Sequence, residues 1–272
     1  MFKGYTHIRY CILLGALLGS FFVSQAQTSD SLLQSKQPTW KSTVPVVASY
    51  ALLSSVWYTQ FELESFHFFD DLGEWGGLDK LGHAFSGYYV SEKLQDFHGF
   101  AKPSKSALLG FAYVSGIEVL DGFAQEWGAS WTDLVANAAG AGIWLLGEND
   151  LPIRMKFSYF PQADLAKKNP SLLGENGLTQ ILKNYNGQQY WLSYPVKQTK
   201  FGKIAMSLGY GATNFVGARK GNNYLDFSLD FIPNVNAPWY LKVWKYVKIP
   251  FPSLRWINGG MHLKALSTFP GE

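Results

Sequence analysis

The chain has 272 residues, a formal charge of +3 and 47% apolar residues. That is enough to build a sizeable core, and the absence of any basic cluster with interleaved aromatics argues against a nucleic-acid partner. A single cysteine, Cys11, excludes an internal disulfide, so stability must come from packing. Aromatic residues make up 17% of the chain, with ten Trp, which points to a membrane-facing or interface-forming surface or to a large aromatic core.

Residues 1–26 read as an export signal. Lys3 and Arg9 give a basic start, Cys11 to Val23 is an apolar run, and Ser24-Gln25-Ala26 offers small residues for cleavage. The mature chain is expected to begin near Gln27 and to carry a charge of about +1, since Lys3 and Arg9 leave with the signal. A retained anchor helix is the alternative, although the apolar run is short for a bilayer span. Cys11 follows Ile8-Arg9-Tyr10 rather than the small and aliphatic residues of a lipidation signal, so no lipid anchor is expected.

Residues 27–41 form a polar leader, and residues 42–149 are expected to form a helical domain. Ser42 to Phe61 carries no charge and is about the length of a bilayer crossing, but its many Ser and Thr suit a buried helix of a soluble bundle equally well. Glu62 to Gly77 is an acidic, aromatic connector closed by Gly76-Gly77. Its Asp70, Asp71 and Glu74 are the residue types that hold a hard cation, though such runs are commonly just solvated. Helices are then expected over Asp79–Phe97, Ser104–Phe123 (after Pro103) and Ser130–Leu146. Small residues such as Gly82, Gly87, Gly110 and Gly140 recur along them and allow close helix approach.

Residues 150–272 are expected to form a smaller β-rich region. Ile204, Met206, Leu208 and Tyr210 alternate with Ala205, Ser207 and Gly209, and Leu225, Phe227, Leu229 and Phe231 alternate with Asp226, Ser228 and Asp230. Gly217 to Asn223 reads as the hairpin connection between these strands. Trp239 to Val247 reads either as a short amphipathic helix at a membrane surface or as an ordinary surface helix. The fold class expected is therefore α+β: an antiparallel bundle of about four helices, soluble or membrane-associated, followed by a smaller β-rich C-terminal region.

The chemistry-bearing residues are Asp79, Lys80, His83, Glu118, Asp133 and Asn137, set among apolar and small residues. Ionisable groups inside packed helices need partners, so these six are expected to form one shared polar centre. Asp79 and His83 are four apart on one helix face, where the carboxylate can orient the imidazole or both can bind a metal, while Asp79 also suits a helix cap. Lys80 can pair with Glu118 or Asp133, or be solvated. Glu118, with Asp121 three residues on, sits in an apolar helix; Ser130-x-x-Asp133 matches a capping box with Asp in place of Glu; Asn137 lies one turn further on. No nucleophile elbow, His-Glu-x-x-His, phosphate loop or Cys pair occurs.

Asp79-Lys80-Leu81-Gly82-His83-Ala84-Phe85, Glu118, Asp121 and Gly128-Ala129-Ser130-Trp131-Thr132-Asp133-Leu134, followed by Ala138-Ala139-Gly140, resemble the YfiM-type family of predicted periplasmic lipoproteins. The same order resembles VanZ-like membrane proteins more distantly. The resemblance covers residues 79–146 and implies an envelope location and a helical fold, with no reaction to carry over. The chain departs from it in lacking a lipidation cysteine and in having Ser130 where VanZ-like proteins would carry Arg.

Two functional classes follow. In one, an exported protein of the periplasm or outer-membrane-associated envelope works by binding or scaffolding, with an envelope lipid or envelope protein as partner. In the other, it is an envelope hydrolase or transferase acting on a lipid or cell-wall intermediate, with His83 as general acid or base, Asp79 orienting it, and Glu118 and Asp133 holding a cation or a second proton. The sequence names no cofactor, metal or oligomeric state.

Overall fold

The computed structural model describes residues 48–51, 62–149, 151–217 and 220–267. The expected signal peptide, the polar leader and most of Ser42–Phe61 lie outside these residues. The chain divides into two compact units. The first holds Ser86–Gly142 with the described residues up to Asp71, and the second holds Leu72–Phe85 and the chain from Ile143 onward.

Three long helices are described: α1 (Leu78–His98), α2 (Pro103–Asp121) and α3 (Trp131–Asn149). Pro103 opens α2 at the first helical position, where its missing N–H is no loss. The division between units falls within α1, after Phe85, and within α3, after Gly142.

In the first unit, glycine sets the helix spacing. A Cβ built on Gly110 of α2 would lie 2.8 Å from the Ser91 nitrogen of α1, and one on Gly87 of α1 would meet the Asn137 carbonyl oxygen of α3. The aromatic connector is tied to the α2–α3 link rather than loose. Leu63 bridges Ala124 and Phe68 bridges Ala129, with the His67 N–H donating to Gly122 O at 2.9 Å and the Ala129 N–H to His67 O at 3.0 Å. Phe68 stacks on Trp131 with centroids 4.7 Å apart.

The second unit is organised by one antiparallel sheet in sequential order: β1 (Arg154–Tyr159), β2 (Gln188–Gln198), β3 (Gly202–Thr213), β4 (Asn222–Pro233), β5 (Ser253–Ile257) and β6 (Gly260–Lys264). Short helices α4 (Ala163–Ala166), α5 (Pro170–Leu173) and α6 (Gly177–Lys183) fill the β1–β2 connection. The sheet is strongly curled. β1 and β4 are three strand spacings apart, about 14 Å if flat, yet Lys156 Nζ of β1 reaches Asp230 Oδ2 of β4 at 2.8 Å and Phe231 O at 2.7 Å. The open edge of β1 is taken up by the Tyr246–Lys248 segment, through Phe157 N–H to Tyr246 O at 2.8 Å and Lys248 N–H to Phe157 O at 2.9 Å.

An apolar core lies at one end of this sheet, where Leu78, Leu81 and Phe85 of α1 pack with Tyr190, Tyr210 and Ala212. Trp75 joins it, wedged beside Tyr185 and Phe215 at centroid distances of 5.1 and 6.1 Å. Its backbone is left-handed, φ +51°, followed by Gly76 at +61° and Gly77 at +80°. A bulky residue holds that conformation only where packing over-determines it, and the burial of Trp75 does so.

The expected four-helix bundle with a smaller β appendage is therefore not what forms. The N-terminal part of α1 presents Leu78, Leu81 and Phe85 to a core of strand residues and the short helices α4 and α5, not to the long helices of a bundle, and the six-stranded sheet is a principal element of the fold. Among the described residues no helix is long and apolar enough to cross a membrane, so these helices do not form a membrane-spanning bundle. Charged and small residues, such as Asp79, Lys80, Gly82 and His83 in α1, interrupt the apolar runs. The strands expected around 204–210 and 225–231 are present within β3 and β4, paired from Gly202↔Pro233 to Thr213↔Asn222. Trp239–Lys245 forms a 3₁₀ helix with none of its residues buried.

Candidate functional site

In the first unit the polar residues gather at the N-terminus of α3. Ser130 precedes the helix, and its Oγ accepts the Asp133 N–H at 3.2 Å, the forward half of a capping box. The reciprocal half is made from elsewhere. Glu118 of α2, only 2% exposed, accepts the Ser130 N–H on Oε2 at 3.1 Å. Asp71 joins from the connector, accepting Ser130 Oγ–H at 2.7 Å and Thr132 Oγ1–H at 2.9 Å on one oxygen. Three acids, Asp71, Glu118 and Asp133, thus stand at the positive end of one helix, where negative charge is favoured. Asn137, one turn on, is fully buried. Asp121 closes α2 by accepting the Trp127 indole N–H at 2.8 Å.

Asp79, Lys80 and His83 belong to the second unit, at the start of α1. Asp79 accepts from Lys80 Nζ at 2.9 Å and from the Tyr185 hydroxyl at 2.7 Å, while His83 Nε2 lies 3.8 Å from its Oδ1. Burial raises the Asp79 pKa, but the charges of His83 and Lys80 and the hydrogen bonds from Lys80 and Tyr185 outweigh it and hold the carboxyl below its ordinary value. This arrangement anchors α1 to the segment that precedes β2. The His83–Asp79 contact, at 3.8 Å, is longer than a hydrogen bond.

A third polar group was not anticipated from the sequence. The concave side of the sheet carries two fully buried ion pairs, Lys156–Asp230 at 2.8 Å and Arg255–Asp226 at 2.7 Å. Arg255 also donates through Nε to Asp226 at 2.9 Å and lies over the Tyr224 ring at 3.8 Å, and Gln189 completes the Asp226 shell at 2.6 Å. Ser193 joins Asp230 at 2.6 Å and Ser207 at 2.7 Å. Lys248 enters from the loop, donating to Leu229 O at 2.7 Å and Ile249 O at 2.6 Å, and burial pushes its ammonium down to about 8. The signal available in the sequence was the strict alternation of Asp226, Ser228 and Asp230 within β4, but alternation does not say which set faces inward. Sealed and mutually satisfied, these groups have the character of a structural network.

Residues 67–148 match the family model described as "Predicted periplasmic lipoprotein (DUF2279)". The protein is accordingly exported and periplasmic or envelope-associated. The match supports an uncharacterised periplasmic-lipoprotein family and not the narrower YfiM-type or the VanZ-like resemblance. No curated protein and no solved structure matches the chain.

Proposed function

We propose that this protein is a non-catalytic binding or scaffolding component of the cell envelope, in which Asp79, Lys80, His83, Glu118, Asp133 and Asn137 maintain the helical framework. The observation that supports this most directly is the bond from the Ser130 N–H to Glu118. A carboxylate engaged with a helix-terminal N–H and flanked by Asp71 on the same cap is performing a structural task. Asp79, held by Lys80 and Tyr185, fits the same reading. The partner is an envelope lipid or envelope protein.

The alternative is an envelope enzyme acting on a lipid or cell-wall intermediate through His83 with carboxylate partners. It draws support from the Asp79–His83 proximity and is weakened by the length of that contact. Complementation of a deletion strain separates the two. Under the scaffold reading, His83→Gln accumulates and complements like wild type, while Glu118→Ala fails to accumulate. A His83→Gln protein that accumulates normally and loses all complementation would overturn the scaffold reading in favour of the enzyme.

A further inference from the structure

The sheet is inverted. Its concave side holds Lys156, Asp226, Asp230 and Arg255, while the convex side of its six strands carries by register a single charged residue, Lys197, opposite Ile204 near the β2–β3 turn. The register lines up Leu192, Leu208, Phe227, Leu254 and Leu263 as one row across β2 to β6. Tyr194, Met206 and Leu229 form a second row beside it, and Trp256 and Met261 a third. These ten residues are between 39 and 81% exposed. Together they present on the order of 1,000 Å² of apolar surface, above the roughly 300–600 Å² of the largest patch on an ordinary monomer.

We propose that this convex face seats in the acyl-chain layer of an envelope bilayer. A sheet facing only water gains by turning its apolar set inward and leaving its ions solvated, since buried ion pairs bear a large desolvation cost. The reverse arrangement, apolar outside and polar inside, is that of a sheet whose outer solvent is lipid. Lipid is favoured over a protein partner because a protein interface includes a polar rim and about one hydrogen bond per 100–200 Å². Within the two rows and the Trp256–Met261 pair, the only side-chain hydrogen-bonding groups are the Tyr194 hydroxyl and the Trp256 indole, residue types that concentrate at the membrane–water boundary.

A second observation points the same way. The 3₁₀ helix Trp239–Lys245, shortly after β4, exposes Trp239 at 83% and Tyr240 at 57% beside Lys242 and Lys245. Aromatics with lysines are what the headgroup layer accommodates. β2, β3 and β4 run 11 to 12 residues but β1, β5 and β6 only five or six, too short for a bilayer-spanning strand of about 9–11. The face is therefore assigned to one leaflet. This concerns the sheet alone and does not depend on how the helical polar residues are used.

The test is flotation of the purified full chain with vesicles of phosphatidylcholine alone and of phosphatidylcholine mixed with phosphatidylglycerol. Wild type is expected to float with both, and to remain bound at high salt because the contact is apolar. Met206→Glu and Leu263→Glu, at residues 63 and 81% exposed whose substitution removes little packing, are each expected to lower vesicle partitioning at least tenfold with an unchanged melting temperature. Val235→Glu, 87% exposed and outside the strands, should float like wild type. Wild type that stays in solution overturns the proposal, whether it is monomeric or a dimer by light scattering; so do Glu variants that float as wild type does.

Discussion

The Glu118 carboxylate, on α2, accepts the backbone N–H of Ser130, the residue that caps α3, at 3.1 Å. This long-range bond takes the place that the side chain at the third helical position holds in an ordinary capping box. It makes α2 and the start of α3 depend on one another. Glu118→Ala should therefore lower stability by about 1.5–3 kcal/mol, the range for a hydrogen bond to a charged group. Asp70→Ala, at an exposed position, should change it by no more than about 0.5 kcal/mol. Asp71→Ala, which removes two bonds to the same cap, should fall with Glu118→Ala. Thermal melts of the three variants check the order.

Gly87→Ala is expected to destabilise the first unit by about 1–3 kcal/mol, because the added methyl would overlap the Asn137 carbonyl oxygen, which cannot rotate away as a side chain does. Gly142→Ala, with open space at its Cβ, should be neutral or slightly stabilising through helix propensity. Urea titrations of the two variants make the comparison.

Arg255→Met should cost about 3–5 kcal/mol, since it leaves Asp226 buried with Gln189 as its main remaining donor. The paired change Arg255→Met with Asp226→Leu should recover a large part of that loss, because no lone charge is then buried. A double-mutant cycle by chemical denaturation measures the recovery.

Lys248 sets a pH dependence. Burial lowers its pKa from 10.5 to about 8, with Lys156 adding to the fall and Asp230 and Asp226 opposing it. Between those two values the unfolded chain holds a proton that the folded chain has released, so stability should rise with pH across this window. Near and above pH 10 the buried hydroxyls of Tyr190 and Tyr224, whose pKa values burial raises, reverse the trend as unfolded tyrosines ionise. Urea midpoints taken from about pH 7 to 10 should therefore climb and then level. Lys248→Met should flatten the climb.

What the sequence determined by itself is local. The helix starts at Pro103 and Ser130, the Ser130–Asp133 cap and the strands around Met206 and Phe227 all follow from residue types at short spacings, where backbone sterics and neighbouring hydrogen bonds decide the outcome. Export too was legible, through the basic, apolar and small-residue order of residues 1–26. The tertiary structure decided what depends on residues far apart in the chain. Glu118 needed Ser130, Asp71 needed Thr132, and Lys156 needed Asp230 three strands away. It also decided which side of β4 is inside: alternation fixes two faces, but only the curl that brings β1 to β4 puts Asp226 and Asp230 within it and leaves Phe227 and Leu229 outside. The bundle expectation failed for the same reason. An apolar stripe such as Leu78, Leu81 and Phe85 records that something must cover it, and whether that cover is a helix or a sheet is settled by packing alone.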